Sequence, residues 1–333
     1  MTHLPSLTRR GLLAASAAAG FSGLTGVVHA QGGAFPARPV QLVVPFPPGG
    51  AVDQAGRAIA QALFNVWKQP VVVNNRGGAG GGIGMNAVAK ATADGYTLLA
   101  THPSIIALPE SERVHGRQPT VVLANFTPLA LLVADPLILV VKGDAPWKTY
   151  EEFVADAKRR PDTVSYSSSG AYSAVHLPVE MLAHAAAMNL RHIPYSGGGP
   201  ALQAVLAGTV SATAGAPAVL APHIKAGTLR ALVSTGTKRH PLLPDVRTAQ
   251  EMGFKDVEFY LWVGLFAPEK MDGALEQGIR RDIARAVQDA EFVKHMAGLG
   301  APVDYRDAPA FNQFLDQDAK RIQAAIKRIG KVD

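Results

Sequence analysis

The chain has 333 residues, of which 48% are hydrophobic and 17% are charged, and its formal net charge is +6. This composition supplies enough apolar surface for a sizeable core and excludes wholesale disorder. The basic residues are scattered rather than clustered between aromatic residues, which argues against a nucleic-acid partner. The sequence contains no cysteine, which excludes disulfides, thiolate metal sites and a cysteine nucleophile.

Residues 1–30 have the features of an export signal peptide. Arg9 and Arg10 precede a run rich in Ala, Gly and Leu, and Ala30 ends a cleavage motif of small residues. The arginine pair is similar to a twin-arginine signal, although a general secretory signal can carry the same pair. A retained membrane anchor is the alternative, but so many Ala, Gly, Ser and Thr residues span hydrocarbon poorly. We therefore expect cleavage before Gln31 and a soluble periplasmic protein.

Strands and helices alternate in a first series after the signal. Apolar runs predict the strands, and a 3.6-residue apolar period predicts the helices. The predicted elements are strands at 42–46, 71–73 and 96–100 and helices at 53–67 and 83–91. Apolar strands separated by helices are typical of a parallel sheet that is covered on both faces.

A second series of the same kind begins near residue 150. Its predicted helices are 150–160, 174–188, 200–207 and 218–226, and its predicted strands are 164–166, 191–194, 210–214 and 229–233. Apolar runs at 129–143 and 258–268 lie on either side of this series, and helices at 273–289 and 309–329 complete the chain.

The two apolar runs predict that the chain passes from one lobe to another and later returns. We therefore expect an α/β protein with two doubly wound lobes and an interlobe cleft. Lobe 1 would be discontinuous and comprise residues 31–130 plus 255–333, and lobe 2 would comprise residues 131–254. A single large doubly wound sheet is the alternative.

Four loops follow predicted strands, where ligands bind in open α/β sheets. In the first loop, "PFPPGGAVD" (45–53), prolines stiffen the strand exit and Gly49 and Gly50 leave room for a ligand. Asp53 either caps the following helix or accepts a hydrogen bond from a ligand. The second loop, "NNRGGAGGGIG" (74–84), lacks the spacing of a dinucleotide-binding or phosphate-binding loop and offers free N–H groups.

The third and fourth loops belong to the second series. "YSSSGAYSAVHL" (166–177) clusters hydroxyl and N–H groups at a helix start, which suits a carboxylate, although an ordinary N-cap loop would use one of these serines. "PYSGGGPAL" (194–202) again places hydroxyl and N–H groups at a helix start, and Pro200 suits the first turn of that helix.

Catalytic and metal motifs are weak in this sequence. It has neither a G-x-S-x-G nor an H-E-x-x-H motif. His176, Glu180 and His184 share one helical face, but such spacing arises often by chance and gives no closed ligand set. Trp262 lies on a predicted crossing between lobes and is a candidate for the cleft, although a core position is favoured.

Ordered stretches along most of the chain resemble the periplasmic solute-binding receptors of tripartite tricarboxylate transporters, the Bug family. They include "RPVQLVVPFPPGGAVD", "QPVVVNNRGGAGGGIG", "SYSSSGAYSAVHL", "HIPYSGGGPAL" and "WVGLFAP". The resemblance implies a type II periplasmic-binding-protein fold that is not an enzyme. It also implies that a ligand carboxylate is gripped, partly through water, between Phe46–Asp53 and Ser167–His176.

The loops and the resemblance together give a set of candidate ligand-binding residues. They are Phe46, Pro48, Gly49, Gly50, Asp53, Gly80, Ser167, Ser168, Ser169, Ser173, His176, Tyr195 and Gly198. Three features depart from the family pattern. Gly77 replaces a usual proline, Gly82 replaces a common asparagine, and residues 102–120 lack an asparagine–proline signature.

The resemblance predicts a monomeric receptor without cofactor or metal. It would capture a small organic anion, such as a mono-, di- or tricarboxylate or an acidic amino acid, and deliver it to membrane permease subunits. A receptor that feeds a two-component sensor kinase and an exported hydrolase remain alternatives. The sequence does not identify the carboxylate.

Overall fold

The computed structural model describes residues 35–332, and the predicted export signal lies outside these residues. The strands are β1 (Val40–Val44), β2 (Val71–Asn75), β3 (Thr97–Thr101), β4 (Phe126–Pro136), β5 (Ile138–Lys142), β6 (Ser165–Ser168), β7 (Arg191–Pro194), β8 (Ala212–Gly215), β9 (Leu229–Ser234), β10 (Tyr260–Pro268) and β11 (Arg306–Asp307). The helices are α1 (Ala51–Trp67), α2 (Gly82–Ala89), α3 (Ser104–Val114), α4 (Tyr150–Arg159), α5 (His176–Ala185), α6 (Gly198–Leu206), α7 (Pro217–Lys225), α8 (Gly273–Ala286), α9 (Ala290–Gly298) and α10 (Ala308–Ile329).

The strands form two sheets, which excludes the single-sheet alternative. The first has the order β11-β4-β10-β3-β1-β2 and the second has the order β7-β6-β8-β5-β9. The expected parallel pairing holds for β1 with β2 and β3, and for β6 with β7 and β8. The sheets are nevertheless mixed, because β10 runs antiparallel to β3 and β5 runs antiparallel to β8. The crossing strands therefore do not continue the βαβ winding that gives parallel pairs.

The core follows from the two-residue period of the strands. On β5, Leu139 and Val141 belong to a large apolar cluster, whereas Ile138 and Val140 face a smaller cluster on the other side of the second sheet. All four side chains are fully buried, and each such burial contributes about 1.5–3 kcal/mol. The large cluster also contains Val43 of the first sheet, so one apolar core connects both sheets.

Helix α1 packs closely on β1 because residue 56 is glycine. A Cβ atom at Gly56 would lie 3.2 Å from Val44 Cγ2 and 3.8 Å from Leu42 Cδ2. This close packing fixes the start of α1 beside the carboxyl end of β1, where the first of the four loops lies.

Thr235 joins the segments that cross between the sheets. Its side chain is fully buried, and Oγ1 accepts from the Leu137 N–H at 3.0 Å and donates to the Phe259 carbonyl oxygen at 2.8 Å. Leu137 lies between β4 and β5, and Phe259 directly precedes β10. The lobe limits stay a prediction, and β4 extends in the first sheet to Pro136. Within residues 35–332, every helix is too short or too polar to cross a bilayer.

Candidate functional site

The helices that follow the parallel strands begin at N-cap residues whose side chains do not cap the helix. Helices α1, α2 and α3 follow β1, β2 and β3, and helices α5, α6 and α7 follow β6, β7 and β8. In each of them the N-cap residue makes no side-chain hydrogen bond to the helix. The first N–H groups of a helix have no intrahelical partner. The carboxyl-terminal edge of each parallel strand set therefore presents several hydrogen-bond donors to an anion.

The helices that begin elsewhere are capped by side chains. Thr149 caps α4, Asp272 caps α8, Asp289 caps α9 and Asp307 caps α10. Helices α4 and α8 follow β5 and β10, which run antiparallel to the parallel strands and so end at the opposite edge. N-cap side chains thus bond helix N–H groups away from the edge where the sequence places the four loops but not at that edge. There, His102 Nδ1 and Ser173 Oγ each accept from one N–H, the first of α3 and the first of α5.

Asp53 holds the first loop together from inside the protein. Its side chain is only 4% exposed. Oδ2 accepts from the Gly49 N–H at 2.9 Å and from Arg57 Nε at 3.0 Å, and Oδ1 accepts from Asn75 Nδ2 at 2.9 Å. Asn75 Nδ2 also donates to the Phe46 carbonyl oxygen at 3.0 Å. The carboxylate therefore accepts from a loop N–H that precedes the helix, and its contact with a ligand stays a prediction.

The surroundings of Asp53 keep it ionised. Burial raises the pKa of the Asp53 carboxyl, but hydrogen bonds from Arg57, Gly49 and Asn75 outweigh burial, so the net pKa lies below its usual value. The first loop therefore contains a buried negative charge whose oxygens are already bonded to donors. Pro48, Gly49 and Gly50 lie on the exposed side of this loop.

The second loop packs against the first through its glycines. Gly80 is exposed and Gly81 is buried, and both have positive φ angles, 65° and 98°, which favour glycine. A Cβ atom at Gly81 would lie 3.2 Å from the Phe46 ring. A Cβ atom at Gly77 would lie 3.5 Å from Pro47 Cδ, so this departure from the family pattern borders the first loop.

Two of the predicted serines bond within the protein. Ser167 is fully buried, and its hydroxyl donates to the Ala201 carbonyl oxygen at 2.8 Å. Ser168 is also fully buried, and its Oγ lies 3.0 Å from the Gly170 carbonyl oxygen and 2.6 Å from His192 Nε2. These hydroxyls attach β6 to α6 and to β7, and a ligand contact for either stays a prediction.

The remaining polar residues of the third loop surround the start of α5. Ser169 and Ser173 are half-buried, and Ser173 Oγ accepts from the His176 N–H at 3.2 Å. His176 is only 1% exposed, and its Nδ1 accepts from the Tyr172 N–H at 2.8 Å. The His176 ring stacks on the His192 ring with centroids 4.1 Å apart. The stacked pair therefore connects the third loop to β7.

Burial keeps this histidine pair neutral. Burial, with a further contribution from His192, lowers the pKa of His176 to about 3. Burial also lowers the pKa of His192. Burial raises the pKa of Glu180, an effect that its hydrogen bond from Tyr166 partly offsets. No group of three His, Asp or Glu side chains within residues 35–332 is placed to hold a metal ion.

The fourth loop joins the third. Tyr195 is half-buried and donates its N–H to the Ser168 carbonyl oxygen at 2.9 Å. Gly198 is exposed at the first position of α6, and no atom lies within 4 Å of where its Cβ would be. The structure thus brings the candidate residues together in two groups, one at each sheet. That both groups contact one ligand stays a prediction.

Sequence reasoning missed several residues of these groups. His102 follows β3, and its ring stacks on Phe46 with centroids 4.1 Å apart. Tyr172 has a positive φ of 56°, and its hydroxyl donates to the Gly330 carbonyl oxygen at 2.7 Å. The strand-end rule that selected the four loops also applies to His102, whereas no local pattern connects Tyr172 to Gly330. Trp262 is a core residue, fully buried with Nε1 donating to Asp318 at 2.7 Å.

Two surface cavities lie away from the four loops. One of about 520 Å³ lies between α3 and α10 and is lined by residues that include Arg113 and Lys320. The other, of about 230 Å³, lies between α5 and the end of α10 and is lined by residues that include His184 and Arg328. Neither is lined by a candidate ligand-binding residue, so both are distinct from the predicted site.

Comparisons with known proteins give a consistent result. A family model described as the tripartite tricarboxylate transporter family receptor matches residues 55–331. Protein BugT of Bordetella pertussis is 35% identical over 89% of this chain and 90% of its own length. The structure of periplasmic binding protein BugD has a TM-score of 0.76 and 32% identity, covering 89% of this chain and 99% of BugD. MatC of Rhodopseudomonas palustris, solved with bound malate, has a TM-score of 0.76 and 28% identity, covering 87% of this chain and 99% of MatC.

Proposed function

Since the chain belongs to the tripartite tricarboxylate transporter receptor family, we propose that it captures a small organic carboxylate between the two loop groups. It then delivers the carboxylate to the membrane permease of such a transporter. The chain is a solute-binding receptor with the two-lobe fold of periplasmic binding proteins. What we propose beyond this family role is the class of ligand, the residues that contact it and delivery to the permease.

The observation that carries the proposal is that the helices whose N-cap residue makes no side-chain hydrogen bond all begin at one edge of each sheet. An anion at such an edge accepts hydrogen bonds from backbone N–H groups, each contributing about 1.5–3 kcal/mol to a charged acceptor. Each helix dipole adds roughly 0.3–1 kcal/mol. The malate bound to MatC supports a carboxylate as the anion for this chain.

The first-loop geometry specifies which donors we assign to the ligand. Prolines at 47 and 48 have no N–H, and the Gly49 N–H is bonded to Asp53. The donors next along the chain are the N–H groups of Gly50 and Ala51, where α1 begins. On the second sheet, we assign the N–H groups at the start of α6, beginning with Gly198.

The Ser168–His192 contact has the distance of a nucleophile and a base, which bears on the hydrolase alternative. Ser168 is fully buried, and its Oγ also lies within hydrogen-bond distance of the Gly170 carbonyl oxygen. We therefore assign the pair to holding the loop. A receptor role is the one that the family supports, and turnover of a carboxylate ester by the purified protein would reopen the alternative.

We further propose that residues 1–30 direct export and that the mature protein is periplasmic. The family of periplasmic receptors and the sequence of the first thirty residues support this proposal. Amino-terminal sequencing of the protein from a periplasmic fraction tests it, with Gln31 expected as the first residue. Recovery of the uncleaved chain from the cytoplasm would contradict it.

The binding proposal is tested by placing a negative charge at each helix start. A thermal-shift screen of carboxylic acids first identifies a ligand, because a ligand at 100 times its Kd stabilises the protein by about 2.7 kcal/mol. Gly50→Glu and Gly198→Glu are then compared with Gly50→Gln and Gly198→Gln. Both positions have open space around the missing side chain, so the fold should tolerate all four changes.

We expect each Glu variant to bind the acid at least about tenfold more weakly than its Gln partner, because like charges repel at short range. Gly273→Glu is the control, since Gly273 begins the side-chain-capped helix α8 and also has open space around it. Equal Kd values for the Glu and Gln variants at both positions would refute the proposed site. A wild-type protein that binds no acid in the screen would refute the ligand class.

A further inference from the structure

His102 stands at the same edge of the first sheet as the first loop. Strands β1 and β3 are parallel neighbours, with Val43 paired to Leu99. The carboxyl ends of β1 and β3 therefore lie side by side, and the residues that directly follow the two strands are close to each other. The Phe46 and His102 rings stack with centroids 4.1 Å apart and an interplanar angle of 20°.

The hydrogen bond of the imidazole ring assigns its tautomer. His102 Nδ1 accepts from the Ser104 N–H at 3.1 Å, so Nδ1 carries no proton and Nε2 carries one. Burial lowers the pKa of His102 to about 4, an effect that its own backbone partly offsets. At neutral pH the ring is therefore an uncharged Nε2–H donor.

The surrounding residues hold the stacked pair in one arrangement. A Cβ atom at Gly81 would lie 3.2 Å from the Phe46 ring and 3.3 Å from Met85 Cε, so the backbone of the second loop closes on this ring. The Ser104 hydroxyl, two residues after His102, is buried without a hydrogen-bond partner among residues 35–332. A buried polar group of this kind is normally satisfied by water or a ligand.

We propose that His102 is a specificity-determining residue of the carboxylate site. While the helix starts hold one carboxylate, His102 Nε2–H donates to a second oxygen-bearing group of the same ligand, with a second carboxylate as the preferred acceptor. This inference rests on the proposed function. It goes beyond the proposed function because His102 would make the site select dicarboxylates over monocarboxylates of the same chain length.

The proposal follows from the chemistry of a neutral, pre-positioned donor. Stacking on Phe46 and the Ser104 bond restrict the ring, so little conformational freedom is lost when a ligand accepts the proton. A site built to donate a hydrogen bond disfavours ligands that lack the acceptor, because the donor is then left without a partner.

The test uses adipate and hexanoate, which have the same chain length and differ in the second carboxylate. Kd values are measured by calorimetry on the full mature chain for wild type, His102→Phe and His102→Gln. Phenylalanine retains a ring that can stack on Phe46 and removes the donor, whereas glutamine retains an N–H donor and removes the ring. Thermal unfolding without ligand shows whether each variant is folded.

We expect wild type to prefer adipate by at least about tenfold, the effect of one hydrogen bond to a charged acceptor. His102→Phe should lose most of this preference through weaker adipate binding, with hexanoate affinity within about threefold of wild type. His102→Gln should retain part of the preference for adipate over hexanoate. If His102→Phe does not fold, the inference is tested on His102→Gln instead.

Two outcomes overturn the inference and are distinguishable. An unchanged adipate-to-hexanoate ratio in His102→Phe, with normal binding to wild type, refutes the role of His102 and leaves the proposed function standing. Failure of wild type to bind either acid, or any acid in the wider screen, refutes the carboxylate site itself.

Discussion

The two loop groups reach the same arrangement by different chemistry. At the first sheet, an ionised and buried Asp53 accepts from Gly49, Arg57 and Asn75. At the second sheet, neutral groups hold the loop. Ser168 is hydrogen-bonded to His192, and the His192 ring stacks on the His176 ring. The comparison shows that a loop at the end of a parallel strand can be held in place by either a buried charge or an uncharged network.

The largest expected effect comes from removing the charge at the first sheet. Asp53→Ala leaves the Gly49 N–H without its acceptor and removes one of the two acceptors of Asn75 Nδ2. We expect the free energy of unfolding to fall by about 3 kcal/mol at pH 7, measured by urea denaturation. Asp53→Asn is the matched control and should cost less because one oxygen acceptor remains. A loss below about 1 kcal/mol for Asp53→Ala would show that the charge does not hold the loop.

The half-buried His102 and the buried His176 predict a pH dependence that both groups share. The folded pKa is about 4 for His102 and about 3 for His176, and both values lie below the unfolded value of roughly 6.5. Below pH 6.5 the unfolded chain binds protons that the folded chain excludes, so stability falls as pH falls. Between pH 6.5 and 5, each histidine should contribute a loss on the order of 2 kcal/mol.

Urea denaturation at pH 7.5 and pH 5 measures this loss. His102→Phe and His176→Phe should each reduce the difference between the two pH values. The exposed His295 provides the control, since His295→Asn should leave the difference unchanged. If the two Phe variants retain the full wild-type difference, these imidazoles are not excluded from protonation in the fold.

The smallest expected effect is a difference in stability between two glycine substitutions at the first sheet. It distinguishes the cost of backbone strain from the cost of lost packing. Gly49 and Gly81 both have positive φ angles, 90° and 98°, but only Gly81 has neighbours where a Cβ would be placed. Gly49→Ala should therefore cost about 1 kcal/mol from strain alone, and Gly81→Ala about 1.5 kcal/mol or more because Phe46 must shift. Thermal unfolding measures both. Equal losses would show that the Phe46 contact adds nothing.

Much of the fold was predictable because it depends on local periodicity. The predicted helix 53–67 corresponds to α1, Ala51–Trp67, and the predicted strand 191–194 corresponds to β7, Arg191–Pro194. Helix α3, Ser104–Val114, was not predicted, because Pro109 lies inside it and its apolar period is short. The run 129–143 was predicted as one crossing but forms two strands in different sheets, β4 and β5, separated by Leu137.

The candidate site was predictable as a set of loops but not as a set of contacts. The glycine and serine patterns correctly indicated turns that follow strands, including Gly81 with its positive φ. They did not indicate that the hydroxyl of Ser167 is bonded to Ala201, or that His102 stacks on Phe46. A hydroxyl or an imidazole has the same sequence signature whether it faces a ligand or the protein interior.

The sequence by itself determined the alternation of strands and helices and the positions of the loops, because apolar period, glycine and proline act within a few residues. Tertiary structure decided which polar groups are bonded inside the protein, because their partners are distant in the chain. Ser168 and His192 are 24 residues apart and Ser167 and Ala201 are 34 apart. Only the pairing of β6 with β7 and β8 brings such groups within bonding distance.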